Sequence, residues 1–421
     1  MSEDSSRLRE QLERRAPGNW ELFEKTAGSQ ELESTAAERA TVARRETGWA
    51  ARWWEGEAPR FACGSSPEDL ESALADASRV ATSPEPPPQW PQTRSDAREP
   101  SASERLEPPP DLFEDLQRRV SAESRGEAQL YRLTVRRGAS AERIFNGRGL
   151  DVSTAASLLD GRALAIGRKG SRSCEARAVF RWEREPDLES LARRLADRAT
   201  LPLSEHGTPV DRGEWLLEPS VASGLLAGLA PLFSAEPLPR WVHRADLFSR
   251  HVTIVDDASA DALYDGEGTA TRRVAVVVDG ALGARLYDLR SARRAGVSPT
   301  GHGVRPSYRV PPAPGPRRLF FETATPASTR ELLTSVRRGL FASALTAPAL
   351  LDFENDRYEI EFTGIAVVGG RAQGPVASAR ARGRISQLLR RIGGLSTDRQ
   401  FFPMPYPAGA PTLLIERADF E

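Results

Sequence analysis

Few residues in this chain could carry catalytic chemistry. Its four histidines are His206, His243, His251 and His302, and none is followed by glutamate. A His-Glu-x-x-His helix, which sets two imidazoles on one face with a carboxylate base beside them, is therefore absent from the sequence. Distant ligands such as His243, His251 and Cys174 could converge on a metal; the plainer reading makes them surface or loop residues. No Gly-x-Ser-x-Gly elbow offers a serine nucleophile. Gly301-His302-Gly303 follows Ser298-Pro299-Thr300, so His302 is either a general base reaching into a cleft or a solvated loop residue. Lysine occurs only at positions 25 and 169, which excludes a Gly-x-x-x-x-Gly-Lys phosphate loop.

The 421 residues leave room for two domains or one large composite. Basic and acidic side chains nearly cancel, 58 against 59, which argues against a nucleic-acid-wrapping protein. Cys63 and Cys174 cannot build a disulfide framework and suit a reducing compartment, so a cytoplasmic location is expected. Met1 to Arg15 lacks the apolar core of a secretory signal. The longest uncharged apolar stretch, between Glu218 and Glu236, is interrupted by Pro219, Gly224, Gly228 and Pro231, so no membrane span is expected.

Residues 84–110 hold nine prolines and read as an extended tether. Similar grammar flanks it: strand-like Gly48–Trp54 with a helix after Ser66-Pro67, then strand-like Leu130–Val135, Ala163–Ile166 and Ala178–Trp182 with a helix after Pro186. Both helices open on proline and then Asp-Leu-Glu-Ser, at 69–72 and 187–190, the pattern of a weak internal duplication. The fold expected is α+β: an N-terminal α/β region of two strand-helix halves, then a β-rich, mainly antiparallel C-terminal domain. The divisions are a charged segment 1–17, a first half 18–80, a proline-rich linker 81–112, a second half 113–204 and the C-terminal domain 205–421.

Within that last domain, Arg273–Val278, the turn Asp279-Gly280 and returning Ala281–Tyr287 predict a hairpin. Ser328 and Glu331 form a capping box ahead of Leu332, Leu333, Val336, Leu340 and Phe341, which predicts one buried helical face. Tyr358, Ile360 and Phe362 alternate as in a strand. A last helix carries Ile385, Leu388, Leu389 and Ile392.

The run Asp265-Gly266-Glu267-Gly268-Thr269, then Arg273, Asp279-Gly280-Ala281-Leu282, Ser291-Ala292-Arg293, Gly296 and Thr300-Gly301-His302-Gly303 resembles the signature of the TldD/PmbA metalloprotease family, once called modulators of DNA gyrase. The likeness extends loosely over 18–80 and 128–417, including the turn Ile144–Gly149. The resemblance implies two kinds of subunit, one TldD-like with a zinc-binding His-Glu-x-x-x-His and one PmbA-like (TldE) without it. The matching segment here is Leu217–Leu225. On that alignment Glu218 and Ser223 stand where the two histidines would be and Pro219 replaces the catalytic glutamate, so the chain resembles the PmbA-like partner.

The resemblance further implies no zinc in this chain and no catalytic residue of its own, with zinc in a TldD-like partner, and unfolded or short peptides as substrate. Asp265, Glu267, Gly268, Thr269, Arg273 and His302 become candidates for lining a peptide groove, where an extended strand would add to a sheet edge. Two other readings compete: a non-enzymatic peptide-binding homodimer, and an autonomous hydrolase that uses His302. Neither a nucleic acid nor a membrane is expected as a partner.

Overall fold

The computed structural model describes residues 3–66, 70–79, 84–92, 108, 111–182, 187–203, 210–243, 245–323, 326–404 and 406–421. The N-terminal part runs α1 (Glu3–Arg15), β1 (Trp20–Ser34), β2 (Arg39–Glu55), β3 (Ala58–Gly64), α2 (Leu70–Ala75), β4 (Ser78–Arg79), α3 (Leu112–Glu123), β5 (Ala128–Asn146), β6 (Asp151–Lys169), β7 (Arg172–Arg181) and α4 (Leu188–Thr200). Its strands form one seven-stranded sheet in the order β4-β3-β2-β1-β5-β6-β7. The two halves on either side of the proline-rich segment therefore meet edge to edge, β1 pairing antiparallel with β5.

The sheet is unlike at its two ends. Near the body, Trp49–Trp54 is buried at every position, as a strand covered on both faces must be. One face packs Trp20, Trp49, Trp53 and Phe145 against Leu8 and Leu12 of α1 and Leu74 of α2. The other packs Phe23, Ala50, Phe61 and Ile144 against Tyr308. Away from the body, Arg39–Arg45 of β2 is exposed throughout. Helices α3 and α4 cover a third patch, Leu116, Val120, Leu191 and Leu195 over Leu133 and Leu159. Asp187 caps α4 by accepting from Ser190 N at 3.0 Å. Its counterpart Asp69 in the first half lies outside the described residues, as does Pro186.

The C-terminal part continues β8 (Arg212–Leu217), α5 (Pro219–Gly228), β9 (Thr253–Asp257), β10 (Arg273–Val278), β11 (Ala281–Leu282), α6 (Leu289–Ala295), β12 (Gly303–Val304), β13 (Ala313–Pro314), β14 (Leu319–Glu322) and α7 (Thr329–Ser335). It ends with β15 (Arg338–Leu345), β16 (Leu350–Asp352), β17 (Arg357–Val368), β18 (Arg371–Gly383), α8 (Ile385–Arg390), β19 (Ile392–Leu395), β20 (Gln400–Pro403), β21 (Pro407–Ala410) and β22 (Leu413–Asp419). One sheet orders β11-β10-β9-β14-β21-β20, and the other β16-β17-β15-β8-β22-β19 with β18 on β17. Most pairings are antiparallel, and helix α5, Trp215, Phe233 and Phe362 share their common core. The α+β expectation holds.

Three local expectations need correction. The capping box of Ser328 and Glu331 forms, but the helix stops at Ser335, so Leu340 and Phe341 lie in β15. There Gly339–Ala342 pairs parallel with β8 on one side and antiparallel with β17 on the other, and two full ladders outweigh helical spacing. Ile392 likewise begins β19 instead of extending α8. The hairpin at Asp279-Gly280 has both residues at positive φ, 47° and 82°, as a type I′ turn requires, yet only Ala281 and Leu282 return along β10.

Part of the proline-rich segment is docked, although a tether was expected. Residues 84–92 lie against the body, where Trp90 is buried edge-on to Trp54 and Glu85 pairs with Arg290 and Arg294 of α6. Among the described residues no helix is long and apolar enough to cross a membrane.

Candidate functional site

The Asp265–Thr269 turn is built around one carboxylate. Asp265 Oδ1 accepts from Glu267 N and Thr269 N, each at 2.9 Å, and Oδ2 accepts from Gly303 N at 2.8 Å. Gly268 sits at φ +75°, and a Cβ there would lie 2.3 Å from the Leu150 side chain. This turn points Glu267 away from solvent, toward the N-terminal sheet.

Glu267 is fully buried and meets Arg52 at the joint between the sheets. Arg52 on β2 donates through Nη2 to Glu267 at 2.8 Å and to Glu21 of β1 at 2.7 Å. Arg305 closes the cluster by donating from Nη2 to Glu21 and from Nε to Gly266 O. The second Glu267 oxygen accepts from Leu289 N, at the start of α6, at 2.7 Å. Burial, opposed by Arg52 and reinforced by Asp288 and Asp265, pushes the Glu267 carboxyl up to about 8. Burial also raises Asp265, against the three backbone donors that favour its charged form.

His302 is likewise interior. Nδ1 lies 2.9 Å from Thr300 O and Nε2 lies 3.0 Å from Asp256 Oδ1, and neither residue of the His302–Asp256 pair has solvent-exposed side-chain surface. Gly301, at φ +74°, folds the loop back against Ala270 O. With both ring nitrogens engaged and no opening to solvent, His302 is neither a cleft base nor a solvated loop residue. His243 and His251 are exposed, Cys174 is half-buried, and no group of three His, Cys, Asp or Glu able to hold a metal occurs among the described residues.

The groove expectation is thus redrawn. Asp265, Glu267, Gly268 and His302 are brought together, but as the packed wall behind a cleft; Thr269 is half-buried, and Arg273 stands apart, paired with Glu322 of β14, on the far side of β9 in the same sheet. Of that turn only Gly266, with Arg305 beside it, faces the cleft. The cleft holds about 1270 Å³ between the outer half of the N-terminal sheet and the loops around 260–266, 304–305, 316–318 and 406–407.

The start of α5 has its own arginine cluster. Glu218 is the N-cap, its carboxylate accepting from Ser220 N at 3.0 Å, and Pro219 occupies the first helical position, where its fixed φ is favourable and no N–H is missed. Arg198 donates to Glu218 at 3.1 Å and to Ser220 Oγ at 2.8 Å, while Arg194 lies 3.8 Å from the same carboxylate. Ser223 is fully buried and its hydroxyl has no partner among the described residues. This donor set does not fit catalytic zinc. The one anionic oxygen donor is already matched by guanidinium groups, Pro219 can neither ligate nor take a proton, and a lone hydroxyl completes no tetrahedron.

Sequence reading missed Glu21 and Arg52 altogether, and left Arg305 without a role. A signal existed for the first two: each is a lone charge inside an apolar run, Trp20-Glu21-Leu22-Phe23 and Ala50-Ala51-Arg52-Trp53-Trp54, which predicts a buried partner.

Residues 213–421 match the PmbA/TldA metallopeptidase C-terminal domain. An uncharacterized protein of Methanocaldococcus jannaschii is 33% identical over 198 residues, covering 43% of this chain and 45% of that protein. A protein of Methanothermobacter thermautotrophicus named metalloprotease is 22% identical over 251 residues, covering 57% and 54%. The matches span about half the length of these curated relatives. TldE from Thermococcus kodakarensis has the same fold, with a TM-score of 0.85, 17% identity, and 99% of both chains covered. A Thermotoga maritima protein described as a candidate modulator of a DNA gyrase superposes with a TM-score of 0.79 and 20% identity over 100% of this chain and 99% of that one. With the signature turn at the joint, a matching C-terminal domain and this shared fold, the chain belongs to the TldD/PmbA family.

Proposed function

We propose that this chain is the zinc-free member of a TldD/PmbA-type peptidase assembly, holding unfolded or short peptide for a subunit that carries His-Glu-x-x-x-His. The family is metallopeptidase-like. The observation that carries the finer reading is the start of α5, where Glu218 is spent on Arg198 and Ser220, and Pro219 and Ser223 supply neither ligand nor base. Catalytic zinc requires about three protein ligands and a water with a base in reach, so the reaction must be completed by another subunit. A cytoplasmic setting suits the free thiols of Cys63 and Cys174.

The test is metal analysis of the purified chain together with peptide cleavage assayed alone and after adding a TldD-like subunit. No stoichiometric zinc and cleavage only in the mixture are expected. One zinc per chain retained through dialysis, or cleavage by the chain alone that chelator abolishes, would overturn the proposal. Recovery from native cells only with itself would favour the homodimer.

A further inference from the structure

The cleft beside the signature turn carries a charge unlike that of the chain. Eight of its lining side chains are arginine or lysine and three are carboxylates, although the whole sequence sums to -1. Some of that charge is answered in place. Lys25 has Glu142 at 3.7 Å, Arg136 is held by both oxygens of Asp160, and Arg318 has Asp261 at 3.1 Å. Arg44, Arg45 and Arg317 have no ion pair among the described residues, and Arg317 Nε is buried without a hydrogen-bond partner.

Arg305 sharpens the point. Its side chain is 1% exposed, with Nε and Nη2 committed to Gly266 and Glu21, yet Nη1 is buried with no acceptor among the described residues. A desolvated guanidinium donor without a partner is costly, and such an orphan is relieved by an anion. The floor leading to it is built of small residues on adjacent strands, Gly28 of β1, Gly138 and Ala139 of β5 and Ser157 of β6, which leave space for another backbone. Arg44 and Arg45 stand on β2 opposite Ser29 and Gly28, and since successive strand residues point to opposite faces, one of them turns inward whichever way the pleat runs.

We infer that this cleft takes an acidic peptide segment in extended form, one carboxylate docking near Arg305 Nη1 and Arg317 and others meeting Arg44 or Arg45 at the rim. This deepens the peptide-holding reading by naming the substrate class. Charge complementarity selects carboxylates, and a chain with 58 basic against 59 acidic side chains favours a peptide over a nucleic acid backbone.

The experiment is fluorescence anisotropy of the full chain with labelled peptides of equal length, glutamate-rich, serine/glycine neutral and lysine-rich, and with a single-stranded oligonucleotide. The glutamate-rich peptide should bind roughly tenfold or more tighter than the neutral one, with affinity falling as salt rises. The double variant Arg44→Gln/Arg45→Gln, on an exposed stretch of strand, should weaken that binding about tenfold without moving the thermal midpoint, and Arg317→Gln should weaken it as well. Equal affinity for acidic and neutral peptides, indifference to both variants, or tighter binding of the oligonucleotide would each overturn the inference. The readout needs neither zinc nor a partner subunit. A chain that retains zinc yet binds glutamate-rich peptide here would sink the proposed function and leave this inference standing, and the reverse outcome would do the opposite.

Discussion

At the joint between the sheets, two arginines and two glutamates from four distant stretches of chain lock together out of water: Glu21, Arg52, Glu267 and Arg305. At the start of α5, Arg198 and Arg194 meet a single glutamate that is also a helix cap. The chemistry is the same and the consequences differ. The helix cluster has exits: Arg198 also donates to Arg177 O at 2.7 Å, and Ser220 can satisfy part of Glu218. The joint has fewer: Glu267 also accepts from Leu289 N and Arg305 also donates to Gly266 O, but the two side-chain hydrogen-bond partners of Arg52 are both carboxylates. A buried ion pair is weak evidence of net stability, but removing one partner leaves an uncompensated charge in the interior. The signature turn is thus explained by what it holds together before any appeal to catalysis.

The largest expected effect comes from breaking the joint. Arg52→Met leaves Glu21 and Glu267 facing each other without a shared cation and should cost about 3–5 kcal/mol. Chemical denaturation should show it as a large drop in midpoint. Adding Glu267→Gln to Arg52→Met should recover a substantial part, since the double variant keeps Glu21 paired with Arg305 and leaves no second carboxylate beside it. A double variant no more stable than the single one would show that the cluster acts through shape alone.

The pH dependence of the joint comes next. Glu267 is raised from its ordinary value to about 8, so the folded state holds a proton that the unfolded state has released above about pH 4.5. The stability from this group is therefore complete below that pH and is lost as pH rises toward 8. Comparing thermal midpoints of wild type and Glu267→Gln from pH 5 to pH 8 should show wild type declining relative to the variant. Parallel curves for wild type and Glu267→Gln would refute the assignment.

Glu218→Ala comes third. It removes the N-cap and one acceptor of Arg198, at about 1–2 kcal/mol, less than the joint because Arg198 keeps Arg177 O and Ser220 Oγ. Urea denaturation of Glu218→Ala beside Arg52→Met tests the ranking; equal losses would erase the distinction drawn between the clusters.

What the sequence disclosed follows the range of the interactions involved. The Asp279-Gly280 turn and the Ser328–Glu331 capping box were legible because each is decided within four residues. The signature turn was legible as a motif, but its direction was not. Whether Glu267 faces a groove or the interior depends on Arg52, 215 positions away, and sheet registry at that distance leaves no mark on local spacing. The strand at Leu340 and Phe341 was hidden for the same reason, since β8 and β17 supply its ladders. Charges embedded in apolar runs are a long-range clue, and at Glu21 and Arg52 it went unread.

The smallest expected effect bears on the position aligned with the family's second histidine. Ser223 Oγ is buried without a partner among the described residues, so its hydroxyl gives up hydration and gains nothing visible in return. Ser223→Ala should therefore be neutral or stabilising by up to about 1 kcal/mol, in contrast to Glu218→Ala on the same helix. If Ser223 instead served a ligand or an ordered water essential to the fold, the alanine variant would lose stability by the 1–3 kcal/mol typical of a broken buried hydrogen bond. Denaturation of Ser223→Ala and Glu218→Ala side by side distinguishes the two. Opposite signs would mean that the helix start was refitted for capping around Glu218 while Ser223 merely fills the space next to it.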